Sequence, residues 1–154
     1  MTDFKNIIKR INEIKNLDCF IKAMDSDIKY LETLNISKDL IDFYREYDPK
    51  DIIEINGIRL LPISEIMEEN NNYTPGYILR PKGYCVIATT IFGDIYCIDC
   101  KEREYSIYIA SHDEIDEETE DFQEKMILIT NSFQDFLDRF IEGKLVGDYY
   151  DLEE

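Results

Sequence analysis

The stretch IIEINGIRLL, residues 52–61, gives the clearest local indication of the fold. Asn56 and Gly57 stand between two runs rich in isoleucine, residues 52–55 and 58–61. An Asn-Gly pair in this setting is a strong hairpin signal, because both central residues of a type I′ turn need positive φ angles that Asn and Gly adopt readily. The stretch therefore predicts two antiparallel strands.

The chain after this hairpin predicts more strands of the same kind. Four segments are rich in β-branched and aromatic residues and are separated by turn residues. Between the hairpin and these strands, Ser64 is predicted to cap a short helix over residues 64–69, and ENNNYTPGY, residues 69–77, is predicted to be a loop. The four strand segments are residues 84–92, 95–99, 105–110 and 126–130, the first two joined by a turn at Gly93 and Asp94.

Helical periodicity dominates both ends of the chain. Apolar residues at helical spacing predict an N-terminal helix over residues 3–16, a second helix capped by Ser26 and a third capped by Ser37 and ended by Pro49. Ser132 is predicted to cap a last helix that ends at Gly143. The expected fold is α+β, a mostly antiparallel sheet of about five or six strands with helices from the N-terminal third and the C-terminus packed on it. We expect residues 1–154 to form a single domain.

Composition narrows the class of partner. The 154 residues are 44% hydrophobic, and 34 acidic against 17 basic residues give a net charge of −17. Such a charge disfavours binding to nucleic acid or to an anionic membrane surface and favours a basic protein partner. The first ten residues, MTDFKNIIKR, lack the apolar run of a signal peptide. We therefore expect a cytoplasmic protein.

The segment DEIDEETED, residues 113–121, is the main anomaly in composition. Two interpretations remain open: a solvated loop kept soluble by its charge, or a surface on which a basic partner lands. The acidic C-terminus, including Glu153 and Glu154, allows the same pair of interpretations. Several tyrosines in or beside loops, among them Tyr73, Tyr77 and Tyr150, are either interface anchors or caps of the sheet edges. The predicted partner-binding residues are Asp113, Glu114, Asp116, Glu117, Glu118, Glu120 and Asp121.

Catalytic and metal chemistry find little support in the sequence. Cys97 and Cys100 have the spacing of a metal or redox motif, and Cys85 and His112 are the convenient additional ligands. A two-residue turn at Gly93 and Asp94 would place Cys97 opposite residues 89–90, away from Cys85. Ser111, His112 and Asp113 are consecutive, which is not how a catalytic triad is assembled. We therefore predict no catalytic residues, no metal site, no cofactor and no enzymatic activity.

The order of these elements resembles that of a known superfamily. The stretches NISKDLIDFYREYDP, IIEINGIRLLPISEI, CVIATTIFGDIYCID, YSIYIASHDE and ITNSFQDFLDRFIEG are together similar to the SUKH superfamily, which groups Smi/Knr-type domains with bacterial immunity proteins. The resemblance covers residues 26–143. Residues 1–25, with an additional helix, and the acidic tail, residues 144–154, lie outside it.

This resemblance implies a non-enzymatic protein-binding domain. In its bacterial branch it implies an immunity protein that neutralises a cognate toxin, a nuclease being one candidate, by binding its surface. The alternatives are a regulatory or scaffold module that recruits cellular proteins and, from another class, an unrecognised enzyme or metalloprotein that uses His112 and the cysteines. The toxin's identity and the oligomeric state stay open.

Overall fold

The structure is a computed structural model that describes residues 4–101 and 105–152. Residue 3 of the predicted first helix, and Glu153 and Glu154 of the acidic tail, lie outside the described residues.

Three helices and a small two-stranded sheet form the N-terminal third. Ser37 accepts a hydrogen bond from the Leu40 N–H, which confirms it as a helix cap. Ser26 is not a cap: the second helix already begins at Asp25 after an extended Met24, and Ser26 lies in its first turn. The elements are α1 (Lys5–Lys15), β1 (Phe20–Ile21), α2 (Asp25–Thr33), α3 (Lys38–Glu46) and β2 (Asp48–Pro49), with β1 and β2 antiparallel.

A six-stranded sheet forms the centre of the molecule, and all its neighbouring strands are antiparallel. The strands lie in the sheet in their order along the chain. This arrangement confirms the α+β expectation. The strands are β3 (Ile53–Ile55), β4 (Ile58–Leu60), β5 (Tyr84–Thr90), β6 (Ile95–Asp99), β7 (Ile107–Ala110) and β8 (Ile127–Thr130).

The predicted Asn-Gly hairpin is present. Ile55 pairs with Ile58, and the two residues between them have positive φ angles, 53° at Asn56 and 82° at Gly57. A β-branched residue at either turn position would be strained, so these two residues set the register of β3 against β4.

Helices α4 (Ile63–Asn72) and α5 (Gly76–Leu79) follow β4. The predicted short helix over residues 64–69 is present within α4, but its predicted cap and the predicted loop after it were wrong. Ser64 is not the cap, because α4 starts at Ile63 after an extended Pro62, and the predicted loop from residue 69 is helical through Asn72. The helix extends through this polar run because of a contact with a distant strand. The Asn70 amide is 1% exposed; its nitrogen donates to the carbonyl of Val86 in β5, and its oxygen accepts from the Val86 N–H.

The main core joins the sheet to α1, α3 and the C-terminal helix α6 (Phe133–Glu142). Phe43 of α3 lies at the centre of an aromatic cluster, with its ring 5.0 Å from Phe4 and 5.2 Å from Phe133. Tyr96 of β6 packs edge-on against Phe136 at 5.3 Å. Edge-to-face aromatic contacts of this kind add to the stabilisation that burial alone provides.

The ends of α6 agree with prediction. Ser132 accepts a hydrogen bond from the Asp135 N–H, and Gly143 is left-handed with φ 71°. Within residues 4–101 and 105–152, no helix is long and apolar enough to cross a membrane.

Candidate protein-binding site

The acidic segment, residues 113–121, connects β7 to β8 and is anchored by one apolar residue. Ile115 is 1% exposed and inserts into the core. The Asp116 carboxylate accepts from the Glu118 N–H, and the Asp116 N–H donates to the Thr119 hydroxyl, so the middle of the segment forms a tight turn. Of the seven carboxylates predicted as a binding surface, Glu114 is half-buried and the other six are exposed.

Two tyrosines and a lysine tether the acidic segment to the rest of the fold. Tyr150 donates to Glu114 at 3.0 Å, and Lys125 lies 3.6 Å from the same carboxylate. Tyr77 of α5 donates to Glu117, and this hydrogen bond raises the pKa of the Tyr77 hydroxyl. From the sequence, these tyrosines were predicted to be either interface anchors or caps of the sheet edges; in the structure, Tyr77 and Tyr150 hold the acidic segment.

The remaining carboxylates of the segment point their charge outward. Glu118, Glu120 and Asp121 are exposed and have no ion-pair partner within residues 4–101 and 105–152. These three side chains therefore provide a negative surface whose backbone is held in place by the tethers.

An apolar surface lies beside the start of the acidic segment, at the turn between β5 and β6. Ile91 and Phe92 in this turn are 48% and 60% exposed. The His112 ring joins the two regions: it packs against Gly93, where an added Cβ would lie 3.1 Å from its Cε1 atom, and its Nδ1 lies 3.5 Å from Asp94 Oδ1. Phe92 was predicted to belong to the strand over residues 84–92, but β5 ends at Thr90 and Phe92 lies in the turn, so the sequence did not reveal its exposure.

A groove of about 340 Å³ opens next to this apolar surface. Its floor includes Arg59, Thr89 and Ile95, which are register neighbours on β4, β5 and β6 and so share one face of the sheet. Glu69 of α4, Tyr73 at its C-terminal end and His112 also line the groove.

A second groove adjoins the first. It has a volume of about 370 Å³ and is lined by Tyr77, Ile78 and the tip of the acidic segment; Thr74 lines both grooves. The acidic segment, the exposed turn and the two grooves thus form one continuous surface, which we call the acidic-apolar surface. We take this surface as the candidate binding site.

A more voluminous groove, about 770 Å³, runs along α1. Its lining combines the apolar Ile8, Leu17 and Tyr47 with side chains of both charges, including Lys9 and Glu13. It contains none of the residues predicted from the sequence, and its mixed charge indicates no particular partner. Volume alone therefore does not make it the better candidate.

His112 and its sequence neighbours are arranged for structure. The Ser111 side chain is fully buried, and its hydroxyl accepts from the Asp113 N–H. The imidazole lies between two carboxylates, 3.5 Å from Asp94 and 3.3 Å from Asp113. Asp94 is 2% exposed and also accepts from the Tyr149 N–H, which connects the C-terminal segment to this turn.

The predicted position of Cys97 was wrong. Cys97 pairs with Val86, next to Cys85, because the turn spans more residues than Gly93 and Asp94 alone and the strand register shifts between Val86 and Ala88. The thiols are nevertheless deeply buried, and burial raises the pKa of each, to about 12 for Cys100. Thiols of this kind are poor nucleophiles. Among the residues that the structure describes, no three His, Cys, Asp or Glu side chains are grouped to hold a metal ion.

Comparison with known proteins gives one family match. The pattern of the SMI1 / KNR4 family (SUKH-1) matches residues 25–139, well over half of the chain. The match includes the acidic segment and both grooves and leaves α1 outside. No curated protein and no solved structure matches the chain.

Proposed function

The chain belongs to the SMI1 / KNR4 family (SUKH-1), and from this membership we propose that it is a cytoplasmic immunity protein that binds a cognate toxin and blocks it by covering its surface. In this proposal the protein breaks and forms no covalent bonds. The proposal places residues 4–24, outside the matched range, in the same domain; the packing of Phe4 on Phe43 and Phe133 of the core supports this.

The acidic-apolar surface is the observation that carries the proposal. Protein interfaces combine an apolar centre that excludes water with a polar rim, and aromatic residues commonly provide most of the binding energy. Phe92 and Ile91 are suited to the centre, and Glu118, Glu120 and Asp121 to the rim. The net charge of −17 would speed the encounter with a basic partner.

A nuclease is the class of toxin that best complements this charge. A nuclease must present lysine and arginine side chains to the phosphates of its substrate. A protein that places carboxylates on that surface competes with the nucleic acid for the same cations. The proposed mode of inhibition is therefore occlusion of the substrate-binding surface.

The test uses the product of the neighbouring gene as the toxin and measures its affinity for the purified protein. We expect affinity to fall steeply between about 0.1 M and about 1 M salt, over which the Debye length shrinks from about 10 Å to about 3 Å. The double variant Glu118→Lys/Glu120→Lys should lose at least about tenfold in affinity, or about 1.4 kcal/mol. The control Glu32→Lys/Glu46→Lys makes the same charge change at exposed positions of α2 and α3.

Equal losses in the two double variants would show that only net charge matters, and would contradict binding through the acidic segment. A second arm removes an apolar anchor. Phe92→Ala should weaken toxin binding, whereas Leu17→Ala, at a residue 65% exposed just after α1, should not. Failure of the neighbouring gene product to bind at all would refute the proposed function.

A further inference from the structure

The ionisable side chains that line the groove next to Phe92 do not all have a partner. Arg59 is paired with Glu54, with 3.0 Å between Nε and Oε1, and His112 lies between Asp94 and Asp113. Glu69 is different. Within residues 4–101 and 105–152, its carboxylate has neither a hydrogen-bond nor an ion-pair partner.

The surroundings of Glu69 disfavour its negative charge. Burial raises the pKa of Glu69, and the nearby Glu65, one helical turn earlier, raises it further. Like charges four residues apart destabilise a helix. Helix α4 also contains Glu68 and has no lysine or arginine in its sequence ISEIMEENNN. The fold therefore maintains a partly desolvated carboxylate that a cation entering the groove would stabilise.

The walls of the groove suit a long cationic side chain better than a free ion. Tyr73 is 52% exposed in the lining, Ile91 is 48% exposed and offers apolar contact, and the floor includes the buried Ile95. An arginine can lay its aliphatic stem on such a surface, stack its planar guanidinium on an aromatic ring and bond a carboxylate through two N–H groups. A lysine ammonium offers neither the planar stacking nor the paired hydrogen bonds.

We propose that this groove receives an arginine side chain of the partner, with the guanidinium held by the Glu69 carboxylate and stacked on the Tyr73 ring. This inference rests on the proposed function, because it assigns a specificity pocket within the same acidic-apolar surface. The acidic segment would attract a basic toxin, and the groove would distinguish a toxin with an arginine in the right position from other basic proteins.

The experiment uses N-acetyl-arginine amide as the probe and records backbone amide shifts of the whole chain by NMR. We expect the probe to perturb Tyr73, Thr74 and His112. The Glu69→Gln variant keeps the shape of the side chain and should weaken this binding by about tenfold, as expected for loss of a charge-assisted hydrogen bond. The Tyr73→Leu variant should also weaken it. Glu46→Gln, at an exposed residue of α3 outside the groove, should leave it unchanged.

Three outcomes would overturn the inference: no perturbation of the groove, equal affinity in the wild type and in Glu69→Gln, or equal affinity for N-acetyl-lysine amide. The probe needs no toxin, so this result is separable from the test of function. Toxin binding without an arginine site would refute the inference alone. An arginine site that depends on Glu69, in a protein that binds no toxin, would refute the proposed function alone.

Discussion

Replacing Asp48 by asparagine should stabilise the protein, and the effect should grow with pH. Asp48 is 9% exposed, and its Oδ1 accepts the Ile63 N–H at 3.0 Å, at the first residue of α4. Burial raises its pKa from 3.8 to about 6, and Asp27 adds to the rise. The Asp48→Asn variant keeps an acceptor oxygen at this position and removes the charge.

The magnitude follows from the difference between the folded and unfolded pKa values. A raised folded pKa gives stability that is fully present below the unfolded value, near 3.8, and is lost as the pH rises through about 6. A shift of about two units, at about 1.4 kcal/mol each, makes the ionised carboxylate cost about 3 kcal/mol. The Ile63 N–H, at the start of α4, lowers the pKa of Asp48, so the value of about 6 already includes this favourable contact.

Urea unfolding of both proteins measures the difference directly. We expect Asp48→Asn to be more stable by about 2–3 kcal/mol near pH ~8 and by about half as much near pH ~5. The lower pH is above the sequence pI of about 4.3, which limits precipitation. Asp42→Asn, at an exposed position on α3, controls for the loss of one negative charge and should change stability by less than about 0.5 kcal/mol.

Two results would refute this reasoning. The first is a stability gain that is the same at both pH values, because a gain of that kind would not come from ionisation of Asp48. The second is destabilisation at the higher pH, which would mean that the hydrogen bond to the α4 N-terminus outweighs the burial of charge.

Two further predictions concern hydrogen bonds that hold elements together. Asn70→Ala should destabilise the protein by about 3 kcal/mol, because it removes the side-chain partner of the buried Val86 N–H and C=O. Urea unfolding measures this loss of stability. A loss below about 1 kcal/mol would argue against this role of Asn70. Ser132→Ala should lower the free energy of unfolding by about 1 kcal/mol, because it removes the cap of α6. Ser26→Ala should leave stability unchanged or raise it slightly, because Ser26 lies inside α2 and alanine favours a helix. Thermal unfolding compares the two variants, and equal effects would contradict this assignment of caps.

The sequence predicts the fold well where local chemistry decides the structure. The turn at Asn56 and Gly57 depends on backbone preferences of those two residues, and the caps at Ser37 and Ser132 depend on a hydroxyl three residues before its donor. These features need no information from distant parts of the chain.

Prediction fails where a distant contact overrides local preference. The polar run that includes Asn70 has the composition of a loop, and it becomes helical because one amide side chain bonds the backbone of β5. The pairing of Cys97 depends on an irregularity in β5 near Val86, and the residue types there do not indicate such an irregularity.

The candidate site divides in the same way. The acidic segment is visible in the sequence as a run of carboxylates. Its tethers to Tyr77 and Tyr150 join residues 40 and 36 positions apart, and the groove at Glu69 brings α4 next to the β5–β6 turn. Juxtapositions of this kind come from the topology, so the sequence alone does not reveal them.

The chain-order arrangement of the six sheet strands has a consequence for synthesis on the ribosome. Each strand after β3 can pair with a neighbour that has already left the exit tunnel, and no strand must later be inserted between two others. The aromatic cluster is completed late, because the rings of Phe4 and Phe43 contact Phe133, which is synthesised only with α6. The nascent protein can therefore form its sheet one strand at a time, whereas its aromatic core is completed only after α6 has left the ribosome.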